Sequence, residues 1–316
     1  MTISTISSET IPIEAAIRPM RAQQGKVMST MRSAKRSGTR SDPMLAGVEL
    51  GGTKCICTLG VGPDDVRAQV EIPTTSSAET LAAISAVLEG WEFHAVGIAS
   101  FGPLDLDRSS AKFGSILSTP KPRWSGTDLT SIANGYPFAL DTDVNGAALA
   151  EGLWGGAQGL ESWAYITIGT GVGVGSVSAG RILRGAGHSE AGHQRVPKMA
   201  GDRFAGTCIY HGDCVEGLAS GPAIAARAGR PAGDVASDDE IWGHVAHALA
   251  MLCHNLVLTT LPHRIFIGGG VAAARPQLLP LLRARFRDSM AGYGTLDDID
   301  ALIVGSHLGK GAGPLG

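Results

Sequence analysis

The chain has 316 residues, 44% of them hydrophobic and 17% charged, with a formal net charge of −3. That size suits two lobes with a core each, and the charge excludes the basic field of a nucleic-acid binder or a protein of acidic membranes. No apolar stretch approaches the roughly 20 uninterrupted residues of a membrane helix, and five cysteines in so long a chain make no disulfide framework.

Residues 1–43 are rich in Ser, Thr and Arg, without an apolar period or the h-region of a signal peptide, and read as a disordered leader. Met44 directly precedes the first strand, which also fits an upstream start; organelle targeting is the lesser reading, since Glu9, Glu14 and Asp42 interrupt the basic stretch.

The run 48–59 is an apolar strand, a Gly51-Gly52-Thr53 turn and a second apolar strand, a predicted β-hairpin. Glycine admits an anion close to the backbone, and the turn N–H groups with the Thr53 hydroxyl form a concave donor site for phosphate. No GxxxxGK[ST] P-loop is present. Cys55 and Cys57 share one strand face as core fillers. A helix over 79–88, a strand over 95–100, a helix over 128–133 and a strand over 137–140 follow.

That last strand leads into Asp141-Thr142-Asp143-Val144-Asn145 and a predicted helix over 146–154, placing Asp143 where strand gives way to helix. Ligands of open α/β sheets gather at such edges. Phosphoryl transfer to an alcohol needs positioning, charge neutralisation and a carboxylate to accept the hydroxyl proton, and Asp143 is the candidate base. The plainer reading is that both acids cap the helix, Asn145 being a good cap itself. Glu49, beside the first turn, suits either Mg²⁺ held through water or a solvated edge charge.

A second hairpin over 163–175 repeats strand, Gly169-Thr170-Gly171 and strand, which predicts duplicated lobes with one phosphate turn each. After the loop-rich stretch 180–213, a helix over 239–260 carries Ile241, Val245, Leu249, Leu252 and Leu256 at helical spacing, with Cys253 in the same stripe, and Pro262 stops it. A strand over 264–267 runs into Gly268-Gly269-Gly270, bare backbone against which an adenine or ribose could lie, or simply a loop; a helix over 276–289 follows.

His193, Cys208, His211 and Cys214 form a separate constellation. Two thiols and two imidazoles match closed, tetrahedral structural Zn²⁺, whereas five residues between the cysteines do not match a redox CxxC. The metal would staple a loop too polar to fold around its own core. Glu190 and His193, with Glu216 nearby, are candidates for sugar hydroxyl recognition.

Taken together, these motifs resemble the ROK family of sugar kinases, in its bacterial fructokinase branch. The resemblance runs from 47 to about 313 and rests on Gly-Val-Glu-Leu-Gly-Gly-Thr-Lys at 47–54, Ala-Ser-Phe-Gly-Pro-Leu-Asp-Leu-Asp at 99–107, and Ser-Thr-Pro-Lys-Pro-Arg-Trp at 118–124. It continues in Asp-Thr-Asp-Val-Asn-Gly-Ala-Ala-Leu-Ala-Glu at 141–151, His-Ser-Glu-Ala-Gly-His at 188–193 and the Cys-His-Cys loop leading into Glu-Gly-Leu-Ala-Ser-Gly-Pro at 216–222.

It implies an α/β, two-lobe, actin-like (RNase H-like) ATPase fold, with a small lobe at 44–145 and a large lobe at 146–316 carrying the zinc-stapled loop 188–216. Asp143 would deprotonate the acceptor hydroxyl. Glu49, Gly51, Gly52, Thr53, Lys54, Gly169, Thr170 and Gly171 would hold ATP-Mg²⁺, and Gly268, Gly269 and Gly270 would meet adenosine. Gly102, Pro103, Thr142, Glu190, His193 and Glu216 would bind the sugar. A cytoplasmic homodimer is implied, with hexose and ATP as partners and neither nucleic acid nor membrane. Thr142 and Glu49 stand where the family's glucokinases carry Asn and Asp, which favours fructokinase.

Mannokinase or broad hexokinase activity is the nearest rival, then a non-catalytic sugar sensor. A sugar-responsive repressor would need a winged helix-turn-helix, for which the leader is too short and aperiodic. The family's C-terminal helix, packing back on the small lobe, is expected to be missing beyond Gly316, and Lys310 replaces an acidic or polar residue usual there.

Overall fold

The computed structural model describes residues 43–294 and 298–316; the expected leader, apart from Pro43, lies outside the described residues. Two five-stranded sheets are built to one plan. In the first, β1 (Leu45–Leu50), β2 (Lys54–Gly62) and β3 (Asp65–Pro73) form an antiparallel meander. β4 (Ala95–Ser100) and β5 (Phe138–Thr142) add in parallel on the other side of β1, giving the order β3-β2-β1-β4-β5.

In the second sheet β6 (Trp163–Ile168), β7 (Val172–Ser178) and β8 (Arg181–Ile182) repeat the meander, and β9 (Arg264–Gly268) and β10 (Ile303–Gly305) are the parallel pair. The order is β10-β9-β6-β7-β8. The two glycine-marked hairpins are therefore one unit used twice, as their common pattern predicts. β3 was not predicted, because this edge strand is polar and mostly solvent-facing, with only Ile72 buried.

The helices are α1 (Ser77–Glu89), α2 (Asp143–Leu153), α3 (Val215–Ala219), α4 (Gly221–Ala228), α5 (Ile241–Thr260), α6 (Gly270–Ala274), α7 (Leu278–Met290), α8 (Ile299–Leu302) and α9 (Ala312–Leu315). A capping box starts α1: Ser76 Oγ accepts from the Glu79 N–H while the Glu79 carboxylate accepts from the Ser76 N–H. Thr80, Ile84 and Leu88 are its buried face. The long helix α5 buries Val245, Leu249, Leu252, Cys253 and Leu256 in the core beside the second sheet. It is the one described helix long and apolar enough to cross a membrane, and its apolar residues go to that core instead.

Helix α2 begins three residues earlier than predicted, because Thr142 caps it: Oγ1 accepts from the Asn145 N–H at 3.3 Å. The helix therefore spans the expected lobe boundary at 145/146. Its first turn lies directly on β7, where a Cβ at Gly175 would stand 2.3 Å from the Val144 carbonyl oxygen. The alternating glycines of β7 thus set the height of Asp143. At the other end, buried Glu151 accepts from Gly156 N (2.9 Å), Ser306 Oγ (2.7 Å) and His307 N (2.8 Å). Near the end of the chain, α9 packs against α2, β1 and β2.

Candidate active site

Asp143 is the first residue of α2, half-buried, with Oδ1 accepting from the Val144 N–H at 2.8 Å. Burial raises its pKa to about 6, opposed by that hydrogen bond and assisted by the Glu190 carboxylate. Glu49, on β1, is raised to about 7 by burial and then by the Asp143 charge, with Lys54 opposing. The two acids therefore share one field, and apparent titrations belong to the pair.

Asp141 is engaged by other groups. Its carboxylate accepts from Thr142 N (2.8 Å) and Asn145 Nδ2 (2.8 Å) and pairs with Arg184, from the loop after β8. Asn145 is thus a buried tie to Asp141 rather than the helix cap.

Both carboxylates bind protons more tightly folded than unfolded. The stability they contribute is complete below about pH 4 and is lost as pH rises through 6 to 7. A base works in the opposite sense. With Asp143 as the expected base, turnover at limiting sugar should rise about tenfold per pH unit below about 6 and then level, while the share of stability owed to these two acids is greater at pH 5 than at pH 7.5. A pH–rate profile and a pH series of melting curves read the two slopes; a flat rate between pH 5 and 7 would contradict the assignment.

The first turn is exposed, and space beside Gly52 is open. Lys54, expected at the phosphates, has its Nζ paired with Glu71 Oε2 on β3 at 2.6 Å. The cation over the turn is Lys121, whose Nζ donates to the Gly52 carbonyl and stands 5.7 Å from the Phe101 ring. Lys121 lies in the Ser-Thr-Pro-Lys run at 118–121, a pattern that does not by itself mark it as a neighbour of the turn.

At the second turn Gly169 N donates to the Gly171 carbonyl at 2.9 Å, and Gly221 N to the Gly169 carbonyl at 2.8 Å. Glu216 Oε2 accepts from the Val172 N–H at 3.1 Å, tying α3 to the turn. The third cluster is also constrained by packing. Gly269 has φ +87, and a Cβ there would lie 2.5 Å from Ile168 backbone atoms; one at Gly268 would strike the Tyr165 hydroxyl. Packing on β6 therefore demands those two glycines, and Gly270 alone faces open space.

Of the expected sugar residues, Thr142 is 4% exposed, and its hydroxyl oxygen accepts the capping bond of α2, which leaves its O–H as a donor. The others gather. A Cβ on Gly102 would meet Glu190 Oε1 at 3.4 Å and His188 Cε1 at 3.2 Å, and Pro103 follows in the same turn. His193 N donates to the Glu190 carbonyl at 2.9 Å, and His193 Nε2 lies 3.9 Å from Glu216 Oε1. The second glycine turn, Glu216, His193, Glu190 and Gly102 are consequently neighbours in series.

The Cys/His constellation also assembles. Cys208 Sγ lies 3.6 Å from His193 Nδ1 and 3.7 Å from His211 Nδ1, and Cys214 Sγ lies 3.6 Å from His193 Nδ1. Tetrahedral Zn²⁺, with Zn–S about 2.3 Å and Zn–N about 2.0 Å, sets S and N about 3.5 Å apart. All four ligand atoms fall within 4.8 Å of one another, so the donor set and spacing fit that ion. Burial raises the Cys214 thiol to about 11, so a cation would be needed to bring out its thiolate.

The model of the ROK family matches residues 45–316. The chain is 38% identical to a fructokinase of Pediococcus pentosaceus, over 86% of this chain and 96% of that one. It is also 38% identical to a fructokinase of Zymomonas mobilis, over 88% and 96%. Among solved structures it resembles a ROK family glucokinase from Streptomyces griseus, in complex with glucose and AMPPNP, at a TM-score of 0.68 and 25% identity, over 86% and 97% of the two chains.

Proposed function

The chain belongs to the ROK family, and on that premise we propose that it is an ATP-dependent fructokinase making D-fructose 6-phosphate, with Asp143 as the base. Kinases of this family share the actin-like ATPase fold and use ATP and Mg²⁺. The observation that carries the reading is a half-buried carboxylate at a helix start, raised to about 6 and within the field of Glu190, on a chain that spans nearly the whole length of fructokinase relatives.

In this reading Glu190, His193 and Glu216 hold the sugar hydroxyls, and Gly102 and Pro103 form the adjoining wall. Asp143 takes the proton from the 6-hydroxyl as its oxygen forms a bond to the γ-phosphorus, and the bond from that phosphorus to ADP breaks with its electrons leaving on ADP. The Gly51-Gly52-Thr53 and Gly169-Thr170-Gly171 turns present N–H groups to the phosphates, and the Lys121 ammonium stands over the first. Mg²⁺, when bound, neutralises phosphate charge, and Glu49 is the nearest candidate to orient its waters. His193, Cys208, His211 and Cys214 would hold a structural Zn²⁺, which leaves His193 Nε2 turned toward Glu216. A cytoplasmic homodimer belongs to the same reading, supported by Ile209 (72% exposed) and Tyr210 (59%) at the tip of the Cys/His loop, apolar surface that a second copy would cover.

ADP release measured with D-fructose, D-mannose and D-glucose is the direct test. Fructose is expected to give the highest kcat/KM; equal turnover of all three would favour a broad hexokinase, and none with any of them would end the kinase reading.

A further inference from the structure

His188 belongs to none of the groups assigned above, yet its side chain, beside Glu190, is only 6% exposed. Its Nε2 accepts a hydrogen bond from the Leu104 N–H at 2.9 Å. A nitrogen that accepts cannot carry a proton, so the neutral ring must carry its hydrogen on Nδ1. That Nδ1–H lies between Glu190 Oε1, at 3.5 Å, and the Ser189 carbonyl, at 3.4 Å. The absence of a side chain at Gly102 leaves room for both the ring and the carboxylate.

We propose that His188 is a positioning residue for sugar recognition, its Nδ1–H orienting the Glu190 carboxylate while its Nε2 anchors the 101–104 loop. Leu104 belongs to the connection between β4 and β5 of the first sheet, whereas His188 and Glu190 follow β8 of the second. The ring therefore joins the two halves at the sugar wall, and the same segment is tied again by the Arg184–Asp141 pair, two residues from the base. A carboxylate that is 52% exposed would otherwise sample several rotamers and meet a hydroxyl in only some of them. Fixing it should favour binding of the sugar and leave the nucleotide untouched.

This inference rests on the kinase reading, and the two fail separately. Asparagine places its amide N–H near Nδ1, and glutamine reaches the Nε2 position, so the pair separates the functions of the two ring nitrogens. In the full chain, His188→Ala should raise the KM for D-fructose about tenfold, with the KM for ATP within about twofold, the loss of one hydrogen bond to a charged group. His188→Asn should restore most of the fructose KM. His188→Gln should keep the melting temperature closer to wild type without restoring it.

Glutamine rescuing as well as asparagine, or both KM values rising together with a fall in melting temperature, would overturn the assignment. So would an unchanged fructose KM in all three variants. D-fructose binding measured calorimetrically without ATP keeps the test readable if no turnover is found. A wild-type protein that binds but does not phosphorylate defeats the kinase reading, while the same order of variants in Kd would still support His188.

Discussion

Replacing Asp143 by Asn is expected to lower kcat about a thousandfold or more while the D-fructose Kd stays within about threefold. Asparagine keeps the size and can still accept from the Val144 N–H, so α2 and its Thr142 cap should persist. What disappears is the group that removes the hydroxyl proton. The substitution also deletes a buried charge facing Glu49 and Glu190. The variant should consequently melt at a higher temperature than wild type at pH 8, where the native carboxylate is ionised at a cost to stability, and the gap should shrink toward pH 4. Loss of turnover with gain of stability is a signature that mere disruption of the fold would not give. Calorimetric binding, steady-state rates and melting curves on one preparation read all three.

The second large effect concerns the Cys/His loop. Cys214→Ser is expected to lower the melting temperature by roughly 10 °C, the shift produced by about 3–5 kcal/mol in a domain of this size, and to reduce bound zinc from about one per chain to near none. Cys214 is fully buried and precedes α3, which carries Glu216, so loosening this loop should also raise the fructose KM. Chelation of the wild type should reproduce the shift and added Zn²⁺ reverse it. Elemental analysis that finds no metal in folded, active protein, with no effect of chelator, would remove the zinc assignment.

What could be read from the chain follows from where its signals are local. The paired hairpins announce themselves because each joins apolar strands through a glycine turn, and both recur as equivalent elements of the two sheets. Asp143 is legible because a short strand precedes it and a helix follows within a few residues. Cys208, His211 and Cys214 lie close in sequence, and the fold gathers them with His193.

Non-local partners left no such trace. Nothing in sequence shows that Lys54 turns to Glu71 while Lys121, from a distant loop, covers the first turn. The sequence pattern of Thr142 does not show that its hydroxyl oxygen also caps α2. Gly268 and Gly269 look like a nucleotide floor, although the pressure on them comes from Tyr165 and Ile168 of the neighbouring strand. Glu151 is a lone acid in the small-residue run 146–152; buried, it must find several donors, and it finds them in the segments after α2 and β10.

The account stands or falls on where the phosphoryl group goes. Incubating the protein with ATP, Mg²⁺ and D-fructose labelled with ¹³C at carbon 6, and following the carbon spectrum, should show the labelled resonance acquire phosphorus coupling in step with ADP formation. A label that stays uncoupled while ATP is consumed, or a phosphate ester on another carbon, would contradict it.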